Sequence, residues 1–393
     1  MRSVRTKVTP INIMPTRQNE INPKEANIID QIQYLILFEA ALGINRVYLL
    51  RLSKLKTIIS YIYCLLLIIF SIYFMFYSAK LGTTHYVVKN TLIIEYVALI
   101  ILVVTSVKIK LLKFFKNMYQ FDNILNIQEN ISITSSSRSN IIALVVCVFY
   151  NTYECYLEMN IYYDGAITIG QFYMLIVSLV HDVEQIFFYT LLWFTYIRLL
   201  IVKAHIVKIF NQDDVVKNLN KVEALSNKVN ADVSTLHRVY ELLHRCSSEL
   251  NDVMSVSMLI IFITSGISTI MLLKLFVDVF QMSPSNKTRS TIVYVIMRCL
   301  KYILLLVIPC YYSSVTNTHA SFIRTTLHDA INTMPLGKSD RRNVKTFFHL
   351  TRENDFSYAL CGVIKLNMTL PLSYMSLCTT YLVIIIQFSK FLD

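Results

Sequence analysis

Seven stretches of this chain are apolar for 17 to 27 residues at a time: 57–78, 91–107, 139–159, 171–197, 254–280, 291–314 and 366–389. A helix crosses the hydrocarbon of a bilayer with about 20 residues at about 1.5 Å each. Lipid offers no partner to a bare peptide group, so a run of that length and composition folds as a helix or stays out of the membrane. The run at 171–197 contains His181, Asp182 and Glu184, and counts as one span because Phe, Tyr, Leu and Ile fill both its flanks. Composition agrees with the count. Only 16% of the residues are charged, against roughly 25% in soluble domains, and seven Gly with seven Pro in 393 residues leave little turn-forming sequence. The expected fold is an all-α polytopic membrane protein with seven transmembrane helices.

The flanking charges orient it. Lys and Arg number nine in 1–56, five in 108–138, seven in 202–253 and six in 315–355; the alternate segments hold two, none and two, plus Lys390. By the excess of cations on cytosolic loops, the N-terminus is cytosolic and the C-terminus extracellular. The net charge of +12 follows from that topology, and no nucleic-acid partner is read into it. The first 56 residues contain no early apolar core, so the first span is read as its own insertion signal. The eight cysteines form no CxxC and suggest neither a disulfide framework nor a metal site.

The chain divides into a cytosolic N-terminal segment (1–56), a six-helix transmembrane ligand-binding bundle (57–314), cytosolic anchor helices (315–355) and a pore-forming last transmembrane helix (356–393). Short connections at 79–90, 160–170 and 281–290, the last with Pro284, imply antiparallel pairs. Within the bundle, a cytosolic extension covers about 198–253. There, apolar residues recur every three or four positions from Val215 to Val253, which predicts one long helix running into span five after a turn at Asn211–Asp214. Pro335 and Gly337 separate two helices in the anchor, with Ser339 or Asp340 as the expected cap of the second. Residues 108–127 read as an extension of span two or as an interfacial helix. No internal repeat occurs and spans one to four lack Gly and Pro, which disfavours the broken helices of a transporter.

The last span reads Thr380-Tyr381-Leu382-Val383-Ile384-Ile385-Ile386-Gln387-Phe388. This TY–five hydrophobics–QF ending resembles that of the insect gustatory receptors, relatives of the insect odorant receptors. Phe356, Ser357, Ala359, Gly362, Leu366 and Asn367 resemble the family's approach to that helix, and Leu236, His237, Leu243 and Asn251 its extension into span five. The resemblance implies a tetrameric, ligand-gated, poorly selective cation channel in the plasma membrane of chemosensory neurons. It implies a pore built from the last helices, an anchor where subunits meet, and a small-molecule tastant (a sugar or a bitter plant compound) in an outward-facing pocket. The partners implied are that tastant, permeating cations, membrane lipids and the other subunits of a homo- or hetero-tetramer. An external C-terminus would deny a monomeric receptor the usual G-protein interface, and an odorant-receptor-type subunit stands as the alternative.

Two sets of residues carry the expected function. From Met368 to Phe388 the last helix is uncharged yet holds Gln387, which is costly in lipid unless it bonds to a neighbouring helix or faces water. Stepping by three and four places Thr380, Ile384, Gln387 and Phe388 on one face, a candidate pore and gate that closes by dewetting. In the other spans the candidate ligand-binding residues are Glu95, Asn151, Glu154, Glu158, Tyr173, His181, Asp182, Gln185, Asp278, Arg298 and Tyr302. They either pair with one another, Arg298 and Lys301 opposing the carboxylates, or line a wet vestibule walled by aromatics for a polar ligand. No nucleophile elbow, phosphate loop or metal spacing appears, so no enzyme, cofactor or metal is expected.

Overall fold

The computed structural model describes residues 26–50, 54–79, 86–127, 129–162, 169–210, 231–280 and 286–392. In chain order the helices are α1 (Ala26–Asp30), α2 (Gln33–Ala41), α3 (Lys54–Ala79), α4 (Tyr86–Leu102), α5 (Lys108–Leu125), α6 (Glu129–Tyr162), α7 (Ile169–Ile209), α8 (Val233–Phe280), α9 (Asn286–Thr333), α10 (Lys338–Glu353) and α11 (Thr369–Leu392). Among the described residues, six helical stretches are long and apolar enough to cross a membrane: Leu55–Phe76, Val87–Leu125, Arg138–Ile161, Ile169–Ile209, Val233–Val279 and Lys287–Thr333. The apolar α11 stands in the place of the seventh expected span. Between α10 and α11 lies a two-stranded antiparallel hairpin, β1 (Ala359–Leu360) and β2 (Ile364–Lys365).

α7 is the axis of the bundle. Between Tyr173 and Val207 most of its side chains are buried, polar ones included, whereas α3 exposes Leu55, Ile58, Ile62, Leu65, Leu66 and Ile69. A helix buried on every side needs partners for each polar group it carries, which is why the charges of this chain collect around α7. The exposed aliphatic face of α3 suits a lipid surround.

α4 runs into α5 through one turn of π-helix at Val103–Val107. The Thr105 and Ser106 hydroxyls donate back to the carbonyls of Ile101 (2.8 Å) and Leu102 (3.1 Å), taking up acceptors that the wider turn shifts out of register. Of the two expectations for 108–127, the continuous extension holds. Its buried edge of Leu111, Phe114, Phe115, Met118 and Phe121 packs on the first half of α8, where the Cys246 thiol sits 3.8 Å from the Phe114 carbonyl.

Several expectations are corrected. The stripe from Val215 to Val253 is not one helix throughout: Ala231 and Asp232 are non-helical, and α8 begins at Val233. Asp232 Oδ1 accepts from the Thr235 amide at 3.3 Å and from the Thr235 hydroxyl, an N-cap that starts a helix and therefore interrupts a longer one. The stripe's 215–230 portion, the turn at 211–214 and Pro284 fall outside the described residues. α10 is capped by Gly337 without a side-chain hydrogen bond, so neither Ser339 nor Asp340 serves as the cap. The N-terminal segment is not merely polar: Ile28, Ile32, Leu35, Ile36, Val47 and Leu49 are buried against the bundle. The last helix starts at Thr369, and the stretch before it is the hairpin rather than helix.

The hairpin is fastened on both sides. Asn251 Oδ1 accepts from the Ala359 amide at 2.8 Å, and the Ser313 hydroxyl donates to the Leu366 carbonyl at 2.6 Å. Below it, Phe347 and Phe356 enclose Tyr240 at 5.5 and 5.3 Å between ring centres, while His237 and His244 stand edge-on to the same two phenylalanines.

Candidate functional site

Charges on four helices converge in the bundle. Glu154 and Asn151 project from α6, Asp182 and Ser178 from α7, and Arg298 and Lys301 from α9. Lys301 Nζ donates to Glu154 Oε2 (2.9 Å), Asn151 Oδ1 (3.3 Å) and Ser178 Oγ (3.4 Å), and pairs with Asp182 Oδ2 at 3.3 Å. Arg298 Nε lies 2.9 Å from Glu154 Oε1 and donates to the Tyr302 hydroxyl at 3.2 Å; its Nη1 donates to the Tyr294 hydroxyl. Asn151 Nδ2 closes the circuit on Asp182 Oδ2 at 2.6 Å. Glu158, one turn along α6, pairs with Lys89 of α4 at 2.8 Å. Three cations (Lys89, Arg298, Lys301) thus face three carboxylates (Glu154, Glu158, Asp182), and the group is neutral. Of the two readings of these residues, mutual pairing is what this structure contains. Buried pairs of this kind hold an arrangement in place because removing one partner strands the other.

A second cluster adjoins the first. His181 Nδ1 is 2.7 Å from Glu95 Oε1, and the Thr264 hydroxyl also donates to Glu95. His181 Nε2 faces Gln185 at 3.1 Å and Ser265 at 3.2 Å, and the Tyr302 ring stands edge-on to the imidazole at 5.5 Å. Tyr302 therefore belongs to both clusters. Tyr173 does not join them. It donates to Ser71 of α3 at 2.6 Å among Phe70, Phe74 and Tyr96.

Three clefts open on these groups. One of about 450 Å³, mouth included, is bounded by Lys89, Glu154, Glu158, Gln171, Ser178 and Arg298. Another of about 560 Å³ lies beyond Arg298 and Tyr294 and holds Asp278 with Lys274. The third, about 380 Å³ and mainly apolar, is lined by Gln185, Ser265 and Tyr302 and reaches Tyr374 of α11. The Tyr374 hydroxyl is 2.8 Å from that of Thr269 on α8, so the last helix is tied to the same interior. Asp182 Oδ1 is buried and, among the described residues, accepts no hydrogen bond, which leaves one acceptor of the network open.

On α11 the Thr380, Ile384 and Gln387 side chains are exposed; the Thr380 hydroxyl turns back to the Ser376 carbonyl at 2.9 Å. Among the described residues no neighbouring helix hydrogen-bonds Gln387. Tyr381 is also exposed rather than packed within the protomer. The Phe388 side chain lies outside the described part.

Sequence reasoning passed over a third charged cluster. Arg46, fully buried, lies between Glu39 (2.7 Å) and Glu184 (2.7 and 2.8 Å to its two oxygens), with its guanidinium 4.0 Å from the Phe187 ring centre. Glu184 is marked by its apolar flanks; Arg46 carries no such signal, because it stands in a segment that reads as polar. Lys89 stands among the loop cations in the sequence and is the partner of Glu158 in the fold. Burial pushes the Glu39 carboxyl up to about 8 against the pull of Arg46, with Glu184 adding to the rise.

Long apolar helices around an interior of paired charges define a multi-pass helical membrane protein, with its polar groups turned inward rather than to lipid. The sequence model of the 7tm chemosensory receptors matches residues 44–391, and the chain belongs to that family. That family is one of receptors and not an enzyme class. The fold is that of the insect olfactory receptor OR5 from Machilis hrabei, at 12% identity and a TM-score of 0.65, covering 93% of this chain and 99% of that one. The structure of the same receptor in complex with eugenol matches with a TM-score of 0.60, at the same identity and coverage. No curated protein sequence matches the chain.

Proposed function

We propose that the protein is a gustatory receptor acting as a tetrameric, ligand-gated, poorly selective cation channel in the plasma membrane of chemosensory neurons. The carrying observation is α11. From Thr369 to Phe388 it carries no charge, it packs chiefly on α8 and α9, and it leaves Thr380, Ile384 and Gln387 exposed. Four copies around an axis give that face the water a Gln side chain needs, and Ile384 with Phe388 then forms the closing constriction. The N-terminus is cytosolic, α10 and the distal parts of α7, α8 and α9 form the anchor, and the bundle of 57–314 holds the ligand in its outer half.

A small-molecule tastant enters the cleft over Glu154, Glu158 and Arg298 and hydrogen-bonds where the paired charges leave room, Asp182 Oδ1 among them. Eugenol in the olfactory receptor of the same fold supports a small-molecule ligand. Arg298 walls both outer clefts and donates to the hydroxyl of Tyr302, which walls the cleft that touches Tyr374, so occupancy of the first biases the last helix. A ligand that binds the open arrangement more tightly opens the pore by that difference. The TY…QF ending favours taste over an odorant-receptor-type subunit, which is the second reading.

Patch recording from cells expressing the receptor tests this. Phe388→Ala is expected to raise basal cation current, and unchanged closure removes the gate. Asp182→Asn or Glu154→Gln is expected to shift the dose–response to an activating tastant while basal current stays as it was. Wild-type responses in both variants sink the pocket.

A further inference from the structure

One face of α10 is a line of five cations and a histidine. At about 100° per residue, Lys338, Arg341, Arg342, Lys345, His349 and Arg352 fall within an arc of roughly 100°. All six are exposed, and the buried Val344, Phe347 and Thr351 point to the other side. Among the described residues no carboxylate pairs with any of them. Asp340 in the first turn and Arg352 in the last suit the helix dipole, but like charges three and four apart along the stripe repel. A face that served only solubility would mix signs. The arrangement costs the helix stability and calls for a counter-charge.

We propose that this face docks an acidic segment of a soluble cytosolic partner protein. The side of the membrane rests on the orientation proposed above; the docking does not. Tyr311 and Tyr312 end the apolar part of α9, and Arg324 follows by 12 residues, or roughly 18 Å of helix. α10 packs back along the far stretch, with Arg324 Nε on the Thr351 carbonyl at 3.1 Å and His328 against Phe348. The stripe thus runs along α9 from roughly 18 Å past the aromatic level outward, beyond the Debye length of about 8 Å. Lipid headgroups do not neutralise it. Its 14 residue steps span roughly 21 Å, the reach of about seven extended residues, and a single polyphosphate would meet only part of it. The nearby acids Glu241, Asp252 and Asp355 are already paired with Arg245, Lys110 and Arg324; a second copy of this chain, which would bring its own Asp340 and Glu353, is separated by the subunit number in the test below.

The test uses the full receptor in phosphatidylcholine nanodiscs, where both faces are accessible, and a fluorescent hepta-glutamate peptide read by anisotropy. The wild type is expected to bind it with an affinity that falls as salt rises, and hepta-glutamine not at all. Arg341→Gln/Arg342→Gln/Lys345→Gln is expected to weaken binding by about tenfold, and Arg341→Lys/Arg342→Lys to keep it. Lys108→Gln/Lys113→Gln/Lys116→Gln, which removes the same charge from α5, is expected to change it less than about twofold. Equal loss in the two triple-Gln variants overturns the proposal, because the peptide then reads only net charge. A changed subunit number in the α10 variant overturns it too, by making the face a contact between copies. So does displacement of the peptide by inositol hexakisphosphate at lower concentration than by unlabelled peptide. None of these outcomes bears on channel activity, so failure here leaves the gating proposal standing.

Discussion

Lys301 Nζ stands within 3.4 Å of Glu154, Asn151, Ser178 and Asp182, and its side chain is 7% exposed. Replacing it by Met keeps the bulk and removes the cation that pairs with Asp182. A buried pair broken on one side typically costs about 3–5 kcal/mol, so the melting midpoint of Lys301→Met in detergent is expected to fall well below that of the wild type. Adding Asp182→Asn should restore part of the loss, since the stranded charge goes with it; a double variant that melts no higher than Lys301→Met would show that Asp182 is not the stranded group. Glu39 behaves oppositely with pH. Its folded carboxyl titrates near 8 and its ordinary value is 4.5, so the folded state keeps the proton across that window and the unfolded state releases it. Stability from this site is full below about 4.5 and is lost as pH rises through about 8. Glu39→Gln is expected to flatten that decline relative to the wild type in melting curves taken from pH 5 to pH 9.

At the scale of elements, the hairpin between α10 and α11 is the sharpest departure from a purely helical chain. Gly362 has φ +72°, and a methyl group there would meet no atom within 4 Å. Gly362→Ala therefore isolates backbone strain, about 1–2 kcal/mol, from packing. Hydrogen exchange at Leu360 and Ile364 is the readout, and slow, wild-type exchange would mean that the tip relaxes freely. The Asp232 cap of α8 is likewise set by a single residue, whose carboxylate takes up a backbone donor of the first turn. That is why a smooth apolar period across 215–253 hid an interruption at 231–232.

For the whole molecule, orientation governs the rest of the functional reading. Epitope tags at each end are expected to show the C-terminus accessible on intact cells and the N-terminus only after permeabilisation. An accessible N-terminus would put the clefts over Glu154 and Arg298 on the cytosolic side and remove the tastant pocket. The exposed apolar residues of α11, among them Leu372, Leu377 and Val383, are more than a lone soluble surface tolerates, and they suit the lipid and neighbouring subunits that a channel assembly would supply.

The class of protein was legible in the chain itself, because the length of an apolar run and the thickness of a bilayer are both local facts. So were the six long spans, the last helix and the ending Thr380-Tyr381…Gln387-Phe388. The partners of the buried charges were not. Arg46 and Glu184 are 138 residues apart, and Lys301 and Asn151 are 150 apart. No periodicity within one helix says which charge on another will face it. Tyr173 and Glu158 show the same limit: both sit on the expected helices, yet one turns to Ser71 and the other to Lys89. Hydrophobicity placed each helix in the membrane, and only the packing of helix against helix decided which polar groups meet there.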